Sequence, residues 1–144
     1  MKKWIVLVAA LAVSLPLLAG DDRPISKDRL PAPAKEFIAR HFASMEISLA
    51  TMDKEMFDTT YEVFFIDGSK VEFGRNGLWQ EIDCKYGRVP EAALPEGIRT
   101  YLQANQPDRF VKEIDRDKHD YEVKLDNGLE LKFDLGFRLI GYDH

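Results

Sequence analysis

The chain has 144 residues, with 45% hydrophobic and 31% charged side chains, enough apolar material for one domain with its own core. Beyond Lys2 and Lys3 there are 18 basic against 25 acidic residues, a net charge of −7, with no Lys/Arg cluster. That balance excludes nucleic acid and anionic lipid as partners, because both require cations gathered on one face.

The N-terminal segment is read first, because it has to be separated from the fold. Lys2 and Lys3 precede an apolar run from Trp4 to Leu18, interrupted by Ser14 and Pro16, and the small residues Ala19 and Gly20 lead into Asp21 and Asp22. This is the pattern of a secretory signal peptide over 1–20, too short for a membrane span. The segment LLAG resembles a lipoprotein start, but position 21 is Asp where the lipid-bearing cysteine would stand. The mature protein is expected over 21–144, periplasmic or secreted, without stable membrane insertion after cleavage. Cys84 is the only cysteine, so no internal disulfide is available and the core alone must stabilise the exported chain.

The next elements occur twice. Leu30-Pro31 matches Leu94-Pro95 at a shift of 64. Tyr61-Glu62-Val63 matches Tyr121-Glu122-Val123 at a shift of 60, as do Asp67-Gly68 with Asn127-Gly128 and Asp83 with Asp143. The difference implies about four extra residues before the first hairpin. Within each copy a proline leads an amphipathic helix. Ala34, Phe37, Ile38 and His41 in the first copy, and Ile98, Tyr101, Leu102 and Asn105 in the second, recur at i, i+3, i+4, i+7. Period-two alternation follows: Tyr61, Val63 and Phe65 face one way, with Tyr121, Val123 and Leu125 their duplicates. Asp-Gly and Asn-Gly mark two-residue hairpin turns. Segments 46–53 and 110–117 read as preceding strands, and 78–83 and 138–142 as closing ones. The fold class is therefore α+β. Two tandem α-β-β-β-β units, about 28–84 and 91–143, form one curved antiparallel sheet of about eight strands, with two helices on one face and the other face open.

Catalytic spacing is absent: the chain has no Gly-rich phosphate loop, H-E-x-x-H, G-x-S-x-G or C-x-x-C. His41 sits on an apolar helix face and reads as a core-edge histidine. Cys84 reads as a half-buried free thiol with no base assigned to it by spacing. The run Asp115 to Asp120 lacks the glycine and distal glutamate of a calcium loop, and reads as a solvated turn. His144 is an end residue. No catalytic residue, metal site or cofactor is expected, and the protein is read as a non-enzyme. The candidate contact residues are Phe64 and Ile66, which break a polar alternation that Lys124 and Asp126 keep, with Trp79 and Tyr142 extending the patch. The alternative is that the segment 87–90 or the chain start covers Phe64 and Ile66.

The Leu-Pro-led helix, YEV, DG, VEF and terminal Asp, written twice over Leu30 to Asp143, resemble the secreted PepSY-like proteins of Bacteroidetes, whose fold is similar to that of the β-lactamase inhibitory protein. The resemblance implies the same tandem fold. By analogy it implies an inhibitory or chaperone role toward a secreted hydrolase, with no catalytic residues to carry over. The expected function is an exported binding protein that meets another envelope or secreted protein through the open sheet face. The alternative is a periplasmic carrier of a glycan, peptide or metal, using a pocket lined by Trp79, Tyr86 or Tyr142.

Overall fold

The computed structural model describes residues 22–144, so the expected signal peptide lies outside the described residues. The strands are β1 (Asp22–Pro24), β2 (Ile47–Glu55), β3 (Asp58–Phe65), β4 (Lys70–Phe73), β5 (Trp79–Asp83), β6 (Val111–Arg116), β7 (Asp120–Leu125), β8 (Glu130–Asp134) and β9 (Leu139–Asp143). The helices are α1 (Ala32–His41) and α2 (Glu96–Asn105), each preceded by a short 3₁₀ turn, Lys27–Arg29 and Glu91–Ala93. All nine strands form one sheet in chain order, every pair antiparallel. The ninth strand, beyond the eight expected, is β1, which pairs with Thr51 to Asp53.

Local chemistry accounts for the elements. Pro31 and Pro95 stand at the helix N-caps with φ near −60°, already set for entry into the first turn. The duplicated turns carry Gly68 and Gly128 at φ +92° and +90°. Each is a three-residue loop rather than the expected two-residue one: Phe65 N–H bonds the Ser69 carbonyl, and Leu125 N–H the Leu129 carbonyl. Left-handed glycine closes such a loop, and Asp67 and Asn127 accept from the amides two residues on.

One face of the sheet is dry. Val63, Phe65, Val71, Phe73, Ile82, Ile114, Val123, Leu125, Leu131 and Phe133 are buried there, with Ala34, Ile98 and Leu102 of the helices in the same core cluster. The duplicate packing repeats in detail. Phe37 meets Phe73 edge-on at 5.8 Å and 78°, and Tyr101 meets Phe133 at 5.1 Å and 79°. The four extra residues lie in the longer β2–β3 hairpin, whose tip exposes Met56 and Phe57.

Where a helix start meets the β4–β5 or β8–β9 turn, the copies exchange sizes. The first sets Pro33 against Gly77, where a Cβ would lie 2.9 Å from Pro31 and 3.1 Å from Pro33. The second sets Gly97 against the ring of Phe137, which leaves no room for a methyl group on Gly97. Gly97→Ala is expected to lower stability by about 1–3 kcal/mol through overpacking. Urea denaturation of this variant in the wild-type and Phe137→Gly backgrounds checks it. A cost undiminished in the second background would mean that the ring is not the obstacle.

Candidate functional site

With both helices on one side, every alternate strand residue is turned to the open face, and the register decides what collects there. Glu62 pairs with Glu72, Glu72 with Glu81, Glu81 with Asp115 and Asp115 with Glu122. Five carboxylates therefore stand side by side across five adjacent strands, continued by Thr51 at one end and Lys132 at the other. The neighbouring row reads Leu49, Phe64, Lys70, Asp83, Glu113, Lys124. Directly opposed residues lie about 4.5–5.5 Å apart, where like charges repel.

Few cations answer this row. Lys70 Nζ lies 3.7 Å from Glu62 and 3.5 Å from Glu81. Burial pulls Lys70 down, but Glu81, Glu62 and Glu72 outweigh it and hold the ammonium above its usual range. Lys132 bridges Glu122 and Asp120 at 3.6 and 3.8 Å. Arg116 is held elsewhere: its guanidinium stacks 3.8 Å over Trp79, and its Nε donates to the Trp79 carbonyl at 2.7 Å.

The strain concentrates at the β5–β6 junction of the two units. Burial, then Glu113, Glu81, Glu122 and Asp83, push Asp115 up to about 7. Its Oδ1 is shielded from solvent without a hydrogen-bond partner. Burial followed by neighbouring carboxylates also raises Glu72 and Glu113. Single carboxylate oxygens of Glu81, Asp83 and Glu113 lie within 4.8 Å of one another. A concavity of about 350 Å³ opens beside them, lined by Glu72, Gln80, Glu81, Asp115, Arg116 and Glu122 among others.

The four expected contact residues are not brought together. Phe64 is half-buried on the open face beside Leu49 and Lys70, and Ile66 is exposed in the turn that follows. The segment 87–90 is not the cover envisaged, since Val89 bonds Val111, and of the chain start the described strand β1 lies along Thr51 to Asp53. Trp79, expected in the exposed patch, pairs with Phe73 and is 7% exposed in the core, because a bulge between Glu72 and Phe73 shifts the register there. Tyr142 is exposed on the edge strand β9, five strands beyond the β4 neighbour of Phe64. Of the three aromatics named for a ligand pocket, Trp79 is buried and Tyr86 exposed, while Tyr142 lines a concavity of about 420 Å³ with Glu122, Lys132 and Ile140. Cys84 is fully buried rather than half-buried, and burial raises its thiol above the usual range. His41 packs on Phe37 at 4.7 Å, with burial and Arg40 lowering its pKa. Asp117 closes the β6–β7 turn by accepting from the His119 and Asp120 amides. Sequence reasoning missed the carboxylate row. The alternation of β3 and β7 already turned Glu62 and Glu122 outward, but pairing Glu81 with Asp115 requires knowing that β5 lies beside β6.

Comparison with known proteins places these features in a family. Residues 59–141 match the family described as "Putative beta-lactamase-inhibitor-like, PepSY-like". The chain is 48% identical to a solved structure from Bacteroides thetaiotaomicron titled "putative calcium-regulated periplasmic protein", covering 88% of this chain and 99% of that one, TM-score 0.83. A periplasmic protein of the DUF2874 family from Bacteroides vulgatus is 46% identical over 86% and 98% of the two chains, TM-score 0.84. A second periplasmic protein from the same organism, of unknown function, is 34% identical over 85% and 99%, TM-score 0.79. No curated protein matches. The matched family carries an inhibitor-like description, and no enzyme family is indicated. The chain is periplasmic or secreted, and among the described residues no helix is long and apolar enough to cross a membrane.

The row makes a pH prediction. Asp115 is raised in the folded state above its unfolded value near 4, so the fold holds a proton there that the unfolded chain releases. Stability therefore falls as pH rises from about 4 to about 7, with Glu72 and Glu113 acting in the same sense. Thermal unfolding between pH 5 and 8 is expected to show Tm decreasing with pH, and Asp115→Asn is expected to flatten that slope and raise Tm at pH 8. An unchanged slope in the variant would assign the effect to other groups.

Proposed function

The chain belongs to the PepSY-like family, and from that premise we propose that it is an exported, non-enzymatic binding protein that works through the open face of its sheet. The observation that carries this reading is the continuous row Glu62, Glu72, Glu81, Asp115, Glu122, flanked by the apolar pair Leu49 and Phe64, on a face that neither helix covers. A stable fold has no need to oppose five carboxylates, whereas a partner that neutralises them gains from every one. The finer part of the proposal is that the partner is a secreted hydrolase, inhibited or chaperoned by this face. The family's inhibitor-like description supports it.

A second reading is favoured by a separate observation. The Bacteroides thetaiotaomicron neighbour is described as calcium-regulated, and Glu81, Asp83 and Glu113 offer three hard oxygen donors within 4.8 Å here. Calcium takes six to eight oxygens, so this donor set fits a partly hydrated Ca²⁺ at the junction of the two units. The bound ion would supply the positive charge the row lacks, and Lys70 would give up part of its contact with Glu81.

Affinity capture from an envelope extract tests the first reading. Phe64→Arg and the double variant Glu72→Gln/Glu81→Gln should each lose the dominant partner while keeping the wild-type fold. Retention of that partner by both folded variants rules out the open face. For the second reading, Ca²⁺ at about 100-fold excess over its Kd should raise Tm by roughly 5–10 °C. Glu81→Gln/Glu113→Gln should remove the rise, and an equal rise with Mg²⁺ or in the variant would count against this site.

A further inference from the structure

The duplication supplies an internal comparison along the outer edges of β2 and β6. At a shift of 64 the 3₁₀ turns, the helices and the strand starts superpose in sequence, so Val89 corresponds to Ile25, Phe110 to Glu46 and Val111 to Ile47. Both strand starts also carry a bulge at the same place, Ile47/Leu49 and Val111/Glu113.

In the second unit this edge is covered to its beginning. Cys84 N–H bonds the Lys112 carbonyl at 2.8 Å, and Val89 N–H bonds the Val111 carbonyl at 2.8 Å. Val89 is 1% exposed, and the preceding Arg88 places its guanidinium 4.1 Å from the Phe110 ring. An extended stretch with a basic residue followed by a β-branched one thus fills the space between α2 and the start of β6.

The first unit lacks this filling. Its leading segment lies three residues further along: Ile25 N–H bonds the Ala50 carbonyl, and β1 pairs only with Thr51 to Asp53. Ile47 and Leu49 pair with β3 on their inner side, but among the described residues no strand lies along their outer edge. The space is a groove of about 990 Å³ between α1 and this edge, with Leu30, Ile38, Phe42, Ile47 and Leu49 in its lining, against about 340 Å³ at the equivalent place in the second unit. Glu46 stands where Phe110 receives Arg88.

We propose that this groove is a docking site for an extended segment of a partner polypeptide, which lies along the edge of β2 as residues 88–90 lie along β6 through the Val89 N–H bond to Val111. The partner inserts a β-branched apolar residue beside Ile47 and places the basic residue before it on the Glu46 carboxylate. Main-chain bonds to a free strand edge provide affinity in such additions, and the pocket and the charge provide selectivity. The site lies at the edge of the sheet and is independent of the carboxylate row.

The test uses the exported protein and a fluorescent peptide copying residues 86–92, Tyr-Gly-Arg-Val-Pro-Glu-Ala. Anisotropy should show saturable binding. Replacing valine by aspartate in the peptide should weaken it by roughly tenfold or more, because that residue is the anchor. Ala39→Trp, on the exposed helix surface lining the groove, should block binding with Tm unchanged, and Glu46→Lys should weaken it with a smaller salt dependence. Absence of saturable binding overturns the proposal. So does binding that Ala39→Trp leaves intact, or binding that Glu72→Gln/Glu81→Gln abolishes, which would place the peptide on the carboxylate row instead.

Discussion

Burial of one face of the sheet beneath two short helices is the constraint on which the rest of the molecule depends. α1 and α2 have ten residues each and bury few side chains, so the core is mostly sheet: Val63, Val71, Phe73, Ile82, Ile114, Val123 and Phe133 are each no more than 1% exposed. Their alternation forces the residues between them onto the other face, whatever their charge. The carboxylate row is the result. It persists because the apolar side specifies the register, and mutual repulsion on the wet side is partly relieved by Lys70, Lys132 and the proton near Asp115.

Duplication made the sheet wide, and divergence between the copies made it specific. The repeated features are architectural: the proline-led helices, the left-handed glycines, the edge-on aromatic pairs and the bulges. Function is to be sought where the copies differ. Glu72 and Glu81 correspond to Lys132 and Gly141, which confines the row to the junction of the units. Lys70 corresponds to Glu130, so the cation between Glu62 and Glu81 has no counterpart in the second unit. The exchange of Pro33 and Gly77 for Gly97 and Phe137 shows the same drift where helix meets turn, the bulky side chain moving from the helix to the turn.

Much of the fold was readable from residues alone, because its signals are local. The helices follow from Leu-Pro starts and i, i+3, i+4 spacing, and the hairpins from Asp-Gly and Asn-Gly between alternating strands. The misreadings have separate causes. Trp79 was placed outside because period-two counting carries no mark of the bulge at Glu72/Phe73, and one extra residue reverses a side chain. β1 was overlooked because three residues with a proline carry no strand signal by themselves and are held by the edge they pair with.

The sequence by itself determined the class of fold, the duplication, the export pattern and the open acidic character of the molecule, all of which rest on composition and short-range periodicity. The tertiary structure decided which carboxylates meet and which edge stays free. Glu81 and Asp115 become neighbours only when β5 pairs with β6 across the connection between units, and burial there, with the charges of Glu113 and Glu81, raises Asp115. The groove beside Ile47 exists only because one leading segment lies three residues further along its strand than its duplicate does. Both depend on register between segments distant in the chain, which short-range pattern does not encode.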